Sequence, residues 1–466
     1  MCYTDSVKGR AFMKELIFPE NFEWGAATAA FQIEGGREER GDSVWDEFCE
    51  IGGKIKDGSN GDVACDHYHR YKEDVALMKT LGLENYRFSV SWPRVMPDGE
   101  RLNEKGLDFY DRLTDELLKK NIKPFLTLFH WDLPLALHEQ GGWLNPTIAD
   151  RFYRYAYTIG ERLGDRVKNF MTFNEPQCFI PYGYRLGIHA PGFRVSEKQT
   201  LVAIHNVLRS HGMAVGALRN TVKDVRIGVA MAADADYPLT DSPEDIDAAR
   251  REIFSLKAGE DKWMTNIVHW NDPIYLGDYP AISYERFGDK MPVMTAEDRK
   301  LISQPIDFHG QNCYSGSPVK SDGKGGYEMA KFPLGSAKNA LNWGVTPRAI
   351  WFVTKCLYER YKKPIYITEN GICCNDWVHE DGCVHDADRV DFMKKYLKQL
   401  RRSIDEGTDI RGYFAWSLMD NFEWADGYAE RFGLVYVDYE TQKRIIKDSG
   451  YFYRDLIKEN INRRKQ

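Results

Sequence analysis

A single (β/α)8 barrel is the fold class predicted by this 466-residue sequence, and three observations predict it. Eight short apolar or aromatic runs, each closed by polar or glycine-rich punctuation, read as buried strands. Stretches of helical spacing lie between them, as parallel neighbours require, because parallel strands need long crossovers that are usually helices. The competing open, doubly wound sheet normally carries a glycine-rich phosphate turn after an early strand, and no GxGxxG or P-loop pattern occurs.

The strand-like runs are, in order, Phe22 to Ala30, Asn85 to Trp92, Pro124 to Trp131, Lys168 to Asn174, Arg226 to Ala232, Asp307 to Tyr314, Pro364 to Glu369 and Ile410 to Leu418. After the first, Val75, Met78 and Leu81 recur at helical spacing, and after the second so do Leu107, Tyr110, Leu113 and Leu117. Further helical stretches run from Thr147 to Leu163, Leu201 to Leu218, Pro347 to Tyr361 and Val390 to Ile404. No repeat, linker or low-complexity tract divides the chain, and the glycine-rich piece Ser321 to Gly326 reads as a loop tip. Residues 1–466 are therefore expected to form one barrel domain, its length absorbed by extended loops after the strands.

A hydrophobic content of 43%, with 24 Phe, 26 Tyr and 12 Trp, supplies a core and leaves aromatics over for a binding cleft. A net charge of -7, with both signs interleaved, argues against nucleic acid or an anionic membrane as the main partner. The basic tail Arg463-Arg464-Lys465 reads as a solvated helix end. Met1 to Trp24 never builds the apolar stretch a secretory signal requires, and no other segment nears transmembrane length. The nine cysteines have no repeating spacing, and the adjacent Cys373-Cys374 pair is poorly suited to a bridge, so reduced thiols in a cytoplasmic protein are expected. A zinc site is not expected, since His67-Tyr68-His69 lacks the further ligands a closed site needs.

Barrel active sites form at the carboxyl ends of the strands, and several ends here are polar. Gln32 and Glu34 follow the first run, and His130-Trp131-Asp132 ends the third. Asn174-Glu175 ends the fourth, Asn312 and Tyr314 the sixth, and Glu369 the seventh. The eighth presents Trp416, with Asn421-Phe422-Glu423-Trp424 just beyond. Singly, each has an ordinary explanation in core hydrogen bonding, packing or solvated charge. Together they form a ring of amide, imidazole, carboxylate and indole on one face, suited to a sugar, whose C–H faces stack on indoles while its hydroxyls exchange hydrogen bonds. Two isolated glutamates at strand mouths, Glu175 and Glu369, can divide acid, base and nucleophile roles.

Over nearly the whole chain the sequence resembles family 1 glycoside hydrolases of the β-glucosidase type. The resemblance rests on Trp24 to Ala29 through Gln32-Ile33-Glu34-Gly35, on Tyr86-Arg87-Phe88-Ser89, and on Asn174-Glu175-Pro176. Thr368-Glu369-Asn370-Gly371 and Trp416 to Trp424, continuing to Arg431-Phe432-Gly433, complete it. It implies a retaining, double-displacement β-glycosidase acting on terminal nonreducing glucosyl, galactosyl or fucosyl units of small β-glycosides, cellobiose or cello-oligosaccharides. Glu175 resembles the acid/base and Glu369 the nucleophile, and the two carboxyl groups of a retaining pair lie about 5 to 5.5 Å apart. Arg87 and Tyr314 match positions beside the nucleophile. Gln32, His130, Trp131, Asn174, Asn312, Glu423 and Trp424 resemble polar and aromatic contacts of the nonreducing sugar, Trp416 its stacking floor and Phe432 a side wall. Trp343 sits where the family often places an aromatic for the leaving group. No cofactor is implied, since carboxylates suffice, and oligomeric state stays open.

One departure stands out: many bacterial relatives follow Asn-Glu-Pro with tryptophan, where this chain has Gln177, which implies a more polar leaving-group contact. Relatives acting on 6-phosphorylated sugars carry Ser, Lys and Tyr where this chain has Glu423, Glu430 and Phe432, and carboxylate beside phosphate is repulsive. Plant thioglucosidases replace the acid/base glutamate by glutamine, against Glu175. A noncatalytic sugar-binding protein on the same fold generally loses one of the two carboxylates, and this chain keeps both. Net transglycosylation differs only in whether water or an alcohol wins the second step.

Overall fold

In a computed structural model, residues 16–232, 235–256 and 261–464 are described. Most of the segment read for a secretory signal, and Lys465 of the basic tail, lie outside them. Eight parallel strands close a barrel: β1 (Glu23–Ala27), β2 (Asn85–Ser89), β3 (Lys123–Phe129), β4 (Asn169–Asn174), β5 (Arg226–Ala232), β6 (Phe308–Asn312), β7 (Ile365–Asn370) and β8 (Ile410–Trp416). Each pairs with its sequence neighbour, and β1 closes the ring against β8 with Glu23 opposite Gly412 and Ala27 opposite Trp416. All eight expected strands are present, and the structure trims most of them where side chains turn from the ladder toward the rim.

Glycines let the inside of the barrel fill with rings. Phe125, Phe308, Tyr366 and Phe414 pack there, with Phe125 4.9 Å from Phe414 and Phe308 5.1 Å from Tyr366 between centroids. A Cβ on Gly228 would stand 2.3 Å from the Phe308 ring, and one on Gly25 2.6 Å from Phe414. Strand glycines are therefore needed where rings fill the lumen, and either substitution to alanine would force the layer apart. This packed layer is the floor beneath the cavity at the carboxyl ends.

Outside the barrel, amphipathic helices cover the strands. His67–Thr80 buries Val75 and Met78, and Glu104–Lys119 buries Leu107, Tyr110, Leu113 and Leu117, the stripes expected from their spacing. Glu197–Thr221 starts at a capping box in which the Ser196 hydroxyl accepts from the Gln199 backbone and the Gln199 side chain answers the Ser196 N–H. The C-terminal helix Asp448–Arg464 returns to the barrel, where the Tyr453 hydroxyl donates to Gly25 O at 2.7 Å.

Between β5 and β6 the chain inserts Pro243–Ile253, Ile267–Leu276, Ala281–Phe287 and Ala296–Ile302 in place of a single crossover helix. Their short apolar patches carry no long helical period, so pattern alone does not reveal them. Ser321 to Gly326 is the turn between strands Pro318–Ser321 and Tyr327–Met329, which join Tyr237–Pro238 in a small sheet beside the rim.

His67 is held by Asp74 at 2.8 Å, an ordinary buried pair, and among the described residues no cluster of three or more His, Cys, Asp or Glu could hold a metal. No described helix is long and apolar enough to cross a membrane. Cys49, Cys65, Cys178, Cys313, Cys356, Cys373 and Cys374 are free, whereas Cys383 is disulfide-bonded. The last departs from the expectation of reduced thiols throughout.

Candidate active site

The two glutamates meet in one cavity of about 360 Å³ at the carboxyl end of the barrel. β4 delivers Asn174 and then turns sharply at Glu175, whose backbone is left-handed (φ 45°) while its N–H still donates to Ala230 O on β5 at 2.9 Å. Trp131 (φ 80°) and Trp424 (φ 51°) share this uncommon backbone state, and such residues persist where the surroundings over-determine them. Pro176 then opens a short helix, which carries Gln177 and Cys178 into the wall.

Glu369, near the end of β7, is 3% exposed and clamped on both oxygens. Arg87 Nη1 on β2 donates to Oε1 at 2.6 Å, and the Tyr314 hydroxyl donates to Oε2 at 2.7 Å. Arg87 is itself fully buried and oriented by Thr368 O at 2.9 Å and Asn174 Oδ1 at 2.6 Å. Glu175 has no such cation. Its Oε1 accepts from Asn312 Nδ2 at 2.7 Å, and the same amide nitrogen donates to Asn174 Oδ1 at 2.9 Å.

These surroundings divide the pair electrostatically. Burial, and then the charge of Glu369, push the Glu175 carboxyl up to about 7. Burial raises Glu369 as well, but Arg87, Tyr314 and a hydrogen bond from Asn312 all pull it back. With a guanidinium in contact on one side only, Glu369 is the member that ionises first and Glu175 the one that keeps a proton.

Around them stands a ring of hydrogen-bonding and aromatic groups. Asn174 Oδ1 takes two donors, so its Nδ2 faces His130 Nε2 at 3.0 Å and must donate to it. Burial drives the His130 imidazole well below its ordinary value, so it is neutral, and its Nδ1–H is left without a protein partner. The ring stacks between Trp416 and Trp424, at 5.8 and 6.0 Å between centroids. Trp131 packs 4.6 Å from Trp424 and donates Nε1–H to Asn174 O at 3.0 Å.

Gln32 is buried behind this wall, its Nε2 donating to Phe422 O at 2.8 Å and Asn421 Oδ1 at 2.9 Å, and its Oε1 unpartnered. Glu423 is partly buried in the wall. Desolvation, then Asp426, Glu369, Glu175 and Glu430, hold its carboxyl well above the usual range. Phe432 and Trp343 close the opposite side, 6.0 and 5.7 Å from the Tyr314 ring, with Trp343 40% exposed at the mouth. Gln177 is buried and weakly engaged, with Nε2 3.2 Å from Met231 Sδ and Oε1 3.4 Å from Ala232 N.

All fifteen residues singled out in the sequence thus converge: Gln32 and Arg87 stand behind the wall, and the rest line the cavity. Cys178, Tyr182, His189, Thr265, Leu341 and Asp426 also line it and were not anticipated. Cys178 and Asp426 lie within four residues of motifs already noted. His189 sits in a glycine- and proline-rich turn, a signal that could have been followed. Thr265 ends the single turn Lys262–Thr265 and Leu341 lies in a loop, and neither has a pattern to read.

A parallel barrel whose carboxyl-end cavity sets an ion-paired carboxylate beside a proton-holding one, under indoles and amides, belongs to the class of barrel enzymes that act on sugars. The family model described as "Glycosyl hydrolase family 1" matches residues 14–462, and the chain belongs to that family. It is 46% identical over 447 residues to "Beta-glucosidase A" of Thermotoga maritima, covering 95% of this chain and 98% of the relative. It is 45% identical over 450 residues to "1,4-beta-D-glucan glucohydrolase" of Thermotoga neapolitana, with 95% and 98% covered. Among solved structures, "Beta-glucosidase from Thermotoga maritima in complex with glucoimidazole" superposes with a TM-score of 0.87 at 46% identity, covering 96% of this chain and 99% of that one.

Proposed function

We propose that this chain is a retaining β-glucosidase that releases the nonreducing glucosyl unit of small β-glucosides and cello-oligosaccharides. The observation that carries the reading is the unequal pair: Glu369 clamped by Arg87 and Tyr314, Glu175 buried without a cation. In the first step Glu369 attacks the anomeric carbon while Glu175 gives its proton to the departing glycosidic oxygen. In the second, Glu175, now ionised, takes a proton from water, and that water displaces Glu369 and returns the free sugar. Asn312 supports a short separation of the carboxyls, since its side-chain amide donates to Glu175 Oε1 and also lies close enough to Glu369 to favour its charged form.

The remaining roles follow from the wall. The unpartnered Nδ1–H of His130 and Oε1 of Gln32 are offered to sugar hydroxyls, and Trp416 provides the stacking face. Glu423 accepts or donates according to its proton, which leaves glucose, galactose and fucose all admissible. Among the described residues the cavity lining has four carboxylates and no Lys or Arg, which disfavours a 6-phosphorylated sugar. No cofactor enters these steps, and the reading takes the chain as one catalytic domain.

Product stereochemistry tests the mechanism. Proton NMR at early times should detect β-glucose first from a β-glucoside, with the α-anomer growing in only by mutarotation. Initial release of α-glucose would mean direct displacement by water and would remove Glu369 from the nucleophile's role.

A further inference from the structure

On its outer face β6 buries two polar side chains, where a strand covered by helices normally presents apolar ones. Side chains alternate along the strand, so Phe308 and Asn312 face the lumen and the cavity while His309 and Gln311 face outward, each 1% exposed. His309 Nδ1 lies 2.6 Å from the hydroxyl of Tyr275 on the inserted helix Ile267–Leu276, and its Nε2 lies 3.1 Å from Gln311 Oε1. Gln311 Nε2 in turn lies 2.6 Å from the backbone carbonyl of Asn312.

These contacts admit one direction. A carbonyl only accepts, so the Gln311 amide nitrogen donates to Asn312 O and its Oε1 faces the imidazole. His309 Nε2 must then carry the hydrogen, which leaves Nδ1 to accept the Tyr275 O–H. The ring stays neutral, since burial pushes it down to about 4. Every side-chain nitrogen and oxygen of His309 and Gln311 thus has a partner, as buried polar groups require.

The chain ends on the segment that supports both glutamates. Three successive carbonyls there are each held by a side-chain donor: Asn312 O by Gln311, Cys313 O by Asn370 Nδ2 at 2.6 Å and Tyr314 O by the Tyr396 hydroxyl at 2.7 Å. Asn312 Oδ1 accepts the Thr368 hydroxyl at 2.6 Å, which commits Nδ2 to Asn174 and Glu175, and Tyr314 donates to Glu369. The other end is anchored as well. Tyr275 packs 4.7 Å from the Tyr361 ring, and the Tyr361 hydroxyl and Arg360 Nη2 donate to Asp272 of the same inserted helix at 2.7 and 2.6 Å.

We propose that Tyr275, His309 and Gln311 are positioning residues for the acid/base: a one-way hydrogen-bond chain that fixes the Asn312 peptide and so aims its amide at Glu175. The inference rests on the β-glucosidase reading and adds three residues outside the cavity to its machinery. Donation from Asn312 favours the ionised form of Glu175, so a slack Asn312 must raise the Glu175 pKa and misplace its proton.

The test is the pH profile of kcat/KM, with kcat and urea unfolding, on an aryl β-glucoside. Gln311→Leu should lower kcat about 10- to 100-fold and move the basic limb up by about 0.5 to 1 pH unit. Glu369, Arg87 and Cys178, which also face Glu175, are untouched by it. His309→Gln, whose amide can accept from Tyr275 and donate to Gln311, should keep the wild-type profile. His309→Leu/Gln311→Leu removes both buried polar groups together and should repeat the shift, and it carries the test if the single leucine variant does not fold. Wild-type kcat and limbs in the leucine variants, or a loss of kcat or stability with the basic limb unmoved, overturns the positioning chain alone. A wild type that cleaves no β-glucoside overturns the β-glucosidase reading beneath it.

Discussion

Removing the Tyr314 hydroxyl isolates the support that keeps Glu369 ionised. In Tyr314→Phe the ring volume is nearly conserved, so the packing against Trp343 and Phe432 survives, and only the 2.7 Å donation to Oε2 is lost. A hydrogen bond to a charged group contributes about 1.5–3 kcal/mol, and one pKa unit corresponds to about 1.4 kcal/mol. Losing it disfavours the ionised carboxyl, so the Glu369 pKa must rise, by about one to two units. The reaction needs Glu369 ionised and Glu175 protonated, so kcat/KM falls below the first titration and above the second. The acidic limb of the kcat/KM profile, which reports the free enzyme, should therefore move up by about one to two units. The basic limb, set by Glu175, should stay near 7. A full profile on an aryl β-glucoside from pH 4 to 9 reads both. An acidic limb that stays in place while activity drops would refute the electrostatic role given to Tyr314.

Three further outcomes are expected. Glu175→Ala should lower kcat on cellobiose by about 100- to 10,000-fold and much less on 2,4-dinitrophenyl β-glucoside, whose leaving group needs no proton. Equal losses on both substrates in parallel steady-state assays would count against the acid role. Gln177→Trp should raise kcat/KM for aryl glucosides relative to cellobiose by about 3- to 10-fold, because a stacking face replaces a weakly engaged amide. An unchanged substrate ratio would mean that the position does not meet the leaving group. Arg87→Met leaves the Glu369 carboxylate and Asn174 Oδ1 without their buried guanidinium and should cost about 3–5 kcal/mol of stability. Urea unfolding reads it, and a loss below about 1 kcal/mol would contradict a tightly coupled buried pair.

The barrel was legible in the sequence because strands buried on both sides tend to appear as apolar or aromatic runs, as Phe125 to Phe129 does on β3, even where polar residues are interleaved, as in Asn85–Ser89 on β2. The site was legible because polar groups at the ends of such runs have one place to go. What pattern could not reach depends on contacts between distant elements. The clamp of Arg87 on Glu369 joins β2 to β7, and the donation of Asn312 to Asn174 and Glu175 joins β6 to the end of β4. The helices between β5 and β6, the short turn that brings in Thr265 and the loop that brings in Leu341 have no sustained period. Their places are set by packing on the rim rather than by local propensity.

The central claim is that Glu369 forms a covalent bond to the sugar while Glu175 manages the proton. Intact-protein mass after incubation with an activated 2-deoxy-2-fluoro-β-glucoside, followed by peptide mapping, tests it most directly, since the fluorine slows release of the intermediate. The account predicts one glycosyl adduct per chain, on Glu369. An adduct on another residue, or none with the glucosyl, galactosyl and 6-phosphoglucosyl reagents alike, would contradict it.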